Sequence, residues 1–177
     1  MNRSRRLLLA LPALLLTGCG FQLRRAPDWP LELNPIHVDG LGGRDPFYLA
    51  LVQSLRAAGV EVLDARSPDA AELRVLSLRE SRRVLSVTGA ARISEYELSR
   101  VLDTALRLPG EPEGLPLGPL RASRVYVFDA AAVLSRDERE EELARAMDRD
   151  LLRLLQLRVQ AAMAAPGVVE PADRGSR

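Results

Sequence analysis

The chain has 177 residues, 47% of them apolar and 4% aromatic, enough to build a core of Leu, Val and Ala and too many for global disorder. All 25 basic residues are Arg, spread along the whole length against 24 acidic residues. Setting aside Arg3, Arg5 and Arg6 leaves 22 Arg against 24 acids, about −2, which lacks the strong basic excess of a nucleic-acid-binding chain.

In chain order, those three Arg form a positive start, and Leu7 to Leu16 follow as an apolar run. Ten residues of helix span about 15 Å, half of a bilayer core, so the run suits a signal peptide and not a membrane span. Leu16-Thr17-Gly18-Cys19 comes next and resembles the bacterial lipobox: an aliphatic residue, two small residues and the chain's single Cys. Residues 1–18 are therefore expected to be cleaved and Cys19 to carry the lipid. Gly20, where enteric-type lipoproteins retained at the inner membrane carry Asp, implies by that resemblance an outer-membrane destination on the periplasmic side. One Cys and one His, His37, exclude an internal disulfide and leave no metal-ligand spacing.

Residues 19–32, with Pro27 and Pro30, read as an extended, lipidated tether. Leu33 to Val38 reads as a short strand. Asp45-Pro46 opens a helix, with Asp as cap and Pro in the first turn. Phe47, Tyr48, Leu51, Val52, Leu55 and Ala58 recur at helical spacing up to Gly59. Val60 to Leu63 is a brief extended piece. Glu72 to Thr88 is expected to be one long strand, bent near Glu80-Ser81, with a turn at Gly89-Ala90-Ala91. Ile93 to Leu108 is a second long strand, with Tyr96, Leu98, Leu102 and Leu106 on one face and Glu95, Glu97 and Asp103 on the other. Pro109 to Pro119 reads as a long loop and Arg121 to Ala130 as the last strand, carrying Val125, Tyr126, Val127 and Phe128.

Ser135-Arg136-Asp137-Glu138 matches a capping box for the final helix. Leu143, Met147, Leu151, Leu154, Leu155 and Arg158 are expected along its stripe, up to about Ala162, with residues 165–177 as a disordered tail. The order predicts an α+β fold for residues 33–164: a two-layer sandwich, a mainly antiparallel four-stranded sheet with two helices on one face. The other face is left to solvent or a partner.

These segments resemble the outer-membrane LPS-assembly lipoprotein family, LptE. The resemblance rests on Cys19-Gly20-Phe21-Gln22-Leu23-Arg24, on Ser86-Val87 followed by Glu95-Tyr96, on Val125-Tyr126-Val127-Phe128-Asp129, and on Arg136-Asp137-x-x-Glu140. It implies a lipoprotein that binds and plugs the β-barrel LptD, assists its assembly, and binds lipopolysaccharide (LPS) on its way to the outer leaflet. It also implies two cationic LPS contacts. One is Arg136, just before the Asp of the final helix. The other belongs at the hairpin tip, where Gly89 stands and Arg92, three residues on, supplies the charge.

Two other readings compete. A pilotin or barrel-assembly accessory lipoprotein would share the leader and the small domain. A hydrolase would need a constellation that is absent in sequence: no Gly-x-Ser-x-Gly, a lone His37, Ser86 and Ser135 without a nearby His, and Glu95 and Glu97 as an ordinary pair on one strand face. The chain is expected to be no enzyme and to need no cofactor. The lipobox reading predicts that Cys19→Ala abolishes palmitate labelling and leaves unprocessed precursor; a variant that matures and labels normally contradicts it.

Overall fold

The protein, described by a computed structural model, is defined over residues 29–87, 93–127 and 133–165. The leader, Cys19, Arg92 and the tail from residue 166 lie outside the described residues. The elements are β1 (Ile36–Asp39), α1 (Pro46–Ala57), β2 (Val62–Leu63), β3 (Ala71–Val87), β4 (Ile93–Arg107), β5 (Leu115–Val127) and α2 (Val133–Ala164).

The sheet has five strands, not the four expected, in the order β2-β1-β3-β4-β5. The fifth is the extended piece at Val62–Leu63. It is too short to read as a strand alone, but it pairs parallel to β1 at the sheet edge, with Ile36 N–H donating to Glu61 O at 2.9 Å. His37 helps hold this edge, its Nδ1 lying 3.0 Å from Leu63 O. β1 also runs parallel to β3, while β3, β4 and β5 form an antiparallel meander.

The strand β1 starts at Ile36 rather than Leu33, because Leu31–Leu33 form a 3-10 turn. The tether ends earlier than expected: Trp29 is buried, and its indole N–H donates to Ser54 Oγ of α1 at 3.0 Å. Gly40 closes β1 with φ +93°, and a side chain there would meet Val75 O at 2.0 Å, so only glycine fits. The helix α1 forms as its sequence dictates. Asp45 caps it by accepting from the Phe47 and Tyr48 N–H groups at 2.8 and 3.2 Å, and Phe47, Leu51, Val52 and Leu55 are buried.

Long strands β3 and β4 pair along nearly their whole length. Pairing runs without interruption from Ser77 to Val84, across Glu80-Ser81 where the bend is expected. The irregularities instead lie between Val75 and Ser77 and between Val84 and Val87, where Leu76 and Leu85 are extra and exposed. A bulge shifts strand parity by one, so Leu73 and Val75 before it and Leu78 after it all face the helices. β5 begins at Leu115, inside the region expected to be loop. Pro116 and Pro119 are tolerated because β5 is an edge strand and needs no donor on its free side. Gly118, at φ +73°, accommodates the register shift opposite Thr104 and Ala105.

The core lies between the sheet and one helical layer. Met147, Leu151, Leu155 and Val159 of α2 pack with Leu98, Leu102, Leu106, Leu117 and Leu120, and α1 completes the layer, linked to α2 by Gln156 Nε2 donating to Ser54 Oγ at 3.1 Å. Leu154 and Arg158, expected on the buried stripe, are exposed, and Val159 takes the place next to Leu155. A spacing of four keeps 147, 151, 155 and 159 on one line, and residue 154 falls about 100° away. Leu155→Ala is therefore expected to lower unfolding free energy by about 2–5 kcal/mol, and Leu154→Ala by less than about 1 kcal/mol. Urea melts of both variants check this; equal losses contradict the packing.

Candidate functional site

The sheet's directions decide where the expected LPS contacts belong. β3 ends, β4 begins, β5 ends and α2 begins at one end of the sheet, with Val87 paired to Ile93 and Glu95 to Val127. The backbone of Arg136 is in the first turn of α2, and its side chain lies outside the described residues, as does all of Arg92. α2 begins at Val133, so Ser135 stands inside the first turn and not at the cap position where the capping box is expected.

The described residues next to the start of α2 form a connected polar seam between sheet and helix. Arg82 Nη1 donates to Glu140 Oε1 at 3.0 Å, and the Tyr126 hydroxyl donates to the same carboxylate oxygen. The Arg82 guanidinium lies 5.0 Å from the centroid of the Tyr96 ring, and Tyr96 stacks on Tyr126 at 5.6 Å and 25°. Burial, reinforced by the hydrogen bond and charge of Glu140, pushes the Tyr126 phenol up to about 12, so it stays a donor. Glu140 also raises Arg82, which keeps its charge. Of the acidic run that opens α2, Glu140 is thus tied to a cation, and Glu141 is bridged by Arg145 at 2.9 Å.

Farther along, Arg100 Nη1 lies 2.9 Å from the Asp148 carboxylate, and Arg124 bridges Asp150. Burial pushes Asp148 up, against the opposing charge of Arg100, with Asp45 and Glu80 adding to the upward shift. These contacts are structural ties of α2 to β4 and β5.

The open face of the sheet carries a ladder of polar pairs: Ser86 to Glu95 at 2.7 Å, Arg83 to Glu97, and Ser77 and Arg79 to Asp103 at 3.2 and 3.0 Å. Glu95 and Glu97, the carboxylate pair singled out in sequence, are each engaged by a neighbouring strand. Val125 and Val127 on β5 share this face and are exposed, 54% and 73%.

A second cluster, missed in sequence, lies at the other end of the β3–β4 pair. Glu72 is only 2% exposed and accepts from Arg66, from Arg74 Nη2 at 2.9 Å and from Arg107 Nε at 2.9 Å. Burial alone would raise this carboxyl, but the three hydrogen bonds and the Arg74 charge outweigh it and hold the group near 2 instead of its ordinary 4.5. The signal in sequence was a lone Glu inside a Leu/Val strand; its partners, 6, 2 and 35 residues away, are brought in only by pairing. Among the described residues no group of His, Cys, Asp and Glu is placed to hold a metal ion, and no helix is long and apolar enough to cross a membrane.

The family model for LptE, described as lipopolysaccharide-assembly, matches residues 33–159. The LPS-assembly lipoprotein LptE of Pectobacterium atrosepticum is 30% identical over 157 residues, covering 84% of each chain. That of Photorhabdus laumondii is 27% identical over 154 residues, covering 82% of this chain and 84% of the relative. Two solved structures share the fold: a lipoprotein B from Nitrosomonas europaea, with TM-score 0.64 and 21% identity over 82% of this chain and 94% of that one, and the rare lipoprotein B from Shewanella oneidensis, with TM-score 0.61 and 24% identity over 74% and 94%.

The Glu72 cluster makes a pH-dependent contribution to stability. A carboxyl lowered from 4.5 to about 2 corresponds to about 3 kcal/mol, reduced by solvent screening at the half-exposed Arg66 and Arg74. Because the folded value is the lower one, this stability is present above pH about 4.5 and is lost as pH falls toward about 2. Glu72→Gln is expected to cost about 2–3 kcal/mol at pH 7 and progressively less below pH 4.5. Urea melts across pH 2–7 check this; a difference independent of pH contradicts it.

Proposed function

The chain belongs to the LptE lipopolysaccharide-assembly family, and from that premise we propose that it is an outer-membrane lipoprotein, anchored on the periplasmic side through Cys19, that binds and plugs the LptD β-barrel, assists its assembly and binds LPS during insertion in the outer leaflet. The observation that carries this reading is the extent of the match: it runs from the first strand to the last turns of α2, so it takes in the whole sheet and both helices. The proposal treats the chain as a binding and assembly factor.

The LPS contact is assigned to Arg136 and Arg92. The beginning of α2 offers free backbone N–H groups and the positive end of the helix dipole, both favourable to a phosphate. The acidic run would oppose an anion there, but Glu140 is turned to Arg82 and Tyr126, which lessens that opposition. Arg92 belongs to the connection between β3 and β4, two strands that meet at this same end of the sheet. The open face, polar along β3 and β4 and apolar at Val125 and Val127, is the surface proposed for the barrel.

Affinity purification from detergent-solubilised outer membranes is expected to recover LptD; recovery of a secretin or of the barrel-assembly machinery in its place favours the accessory-lipoprotein reading. Arg136→Asp should weaken LPS binding roughly tenfold or more, the loss of one charge-assisted contact, while LptD still copurifies. Arg92→Asp should act in the same direction, more weakly. Unchanged LPS binding in the double variant overturns the site; loss of LptD from Arg136→Asp places that residue in the barrel interface.

A further inference from the structure

At the end of the sheet remote from the start of α2, Arg66, Arg74 and Arg107 line a cleft of about 580 Å³ together with Ser67, Glu72 and Glu111. We propose that this cleft is a binding site for a phosphate group, held by the three guanidinium groups. The inference goes beyond the LPS contact at Arg136 and Arg92 and does not rest on it.

The argument begins with charge. Three guanidinium groups meet one buried carboxylate, an excess of two positive charges at the cluster. Glu111 in the lining removes one of them, and exposed Asp39, 3.8 Å from Arg74 Nε, weakens the field further. Binding is therefore modest and salt-sensitive.

Geometry supplies the second step. Glu72 takes one nitrogen of each guanidinium: Arg66 Nη2, Arg74 Nη2 and Arg107 Nε. A guanidinium carries five N–H donors in a planar fork suited to phosphate oxygens, so contact with Glu72 leaves most of each fork over. Glu72 also fixes where the forks stand. Arg107 is 18% exposed and anchored at the base, while Arg66 and Arg74, 55% and 45% exposed, reach toward solvent at the mouth. A buried carboxylate that orients three cations at the wall of an open cleft is a prepared anion site: the ordering cost is already met by the fold.

The third observation concerns what carries the phosphate. A second groove of about 330 Å³, lined by Leu106, Leu108, Leu115 and Pro116 with Glu113 beside them, adjoins the cleft and shares Glu111 and Gly114 with it. Free phosphate and a lipid headgroup offer the same group to the Arg cluster, and only the second also has a chain for this groove.

The test uses the full chain in a phosphorus-free detergent, titrated with inorganic phosphate and followed by phosphorus NMR. Saturable binding is expected. Arg66→Gln combined with Arg74→Gln should weaken it at least tenfold, with Arg107 left in place to neutralise Glu72. Arg79→Gln, on the same face but paired with Asp103 and outside the cleft, should leave it unchanged. Thermal melts establish that each variant is folded at the temperature of the titration. Absence of saturable binding in the wild-type chain overturns the proposal, as does an unchanged affinity in the double variant or an equal loss in Arg79→Gln. Micelles doped with phosphatidic acid then assign the source: competition with inorganic phosphate at tenfold lower concentration identifies a headgroup, and competition only at equal concentration identifies free phosphate.

Discussion

The two-layer arrangement depends on the seating of α2 against β4 and β5. Met147, Leu151, Leu155 and Val159 recur every fourth residue on the helix; Leu98, Leu102 and Leu106 recur every fourth residue on the strand, and all are buried. Each such side chain contributes roughly 1.5–3 kcal/mol by leaving water, and together they fix the strand's register. A slip of one residue would turn Glu97, Val101 and Asp103 toward the helix and the leucines toward solvent. The ion pairs Arg82–Glu140, Arg100–Asp148 and Arg124–Asp150 tie α2 to β3, β4 and β5 in turn. They add specificity to a docking that the apolar stripe already determines.

Because only one face of the sheet is covered by helices, the two faces have separate tasks. The covered face holds the fold. The other carries paired charges and hydroxyls along β3 and β4, and exposed valines at the end of β5. This surface presents an apolar strip beside the unpaired edge of β5, the surface proposed above for the barrel. The two ends of the hairpin differ as well. Among the described residues, the end near α2 pairs Arg82 with Glu140, whereas the far end gathers three guanidinium groups around the one buried carboxylate of Glu72.

Much of this was legible in the residues, and the exceptions have physical reasons. The cap at Asp45, the helical spacing from Phe47 to Leu55 and the alternation from Tyr96 to Leu106 are local patterns, and each formed as read. The family resemblance, from Ser86 and Glu95 to the last helix, extended over residues that the family model matches, and Ser86 and Glu95 bond to one another. Two-residue β2 has no local signature; it is a strand only because β1 lies beside it. The bulge at Leu76 shows in the change of parity from Leu73 and Val75 to Leu78, a weaker local signal than the polar pair Glu80-Ser81, where pairing is uninterrupted. Pro116 and Pro119 argued for a loop because edge position is a property of the sheet and not of the segment. Trp29 sat between prolines and gave no period, so its burial depended on Ser54, 25 residues away. Of the expected site, only the helical backbone at Arg136 falls within the described residues. The Glu72 cluster, assembled from a loop and two strands, had no spacing to betray it.

The central claim is that this chain takes part in carrying LPS to the cell surface, and the direct measurement is surface LPS after its depletion from the organism that encodes it. Pulse-labelled LPS accessible to a modifying enzyme supplied outside the cell should fall as the protein disappears, with the remainder accumulating behind the outer membrane, and re-expression should restore it. Undiminished arrival of new LPS at the surface in cells free of the protein would contradict the account.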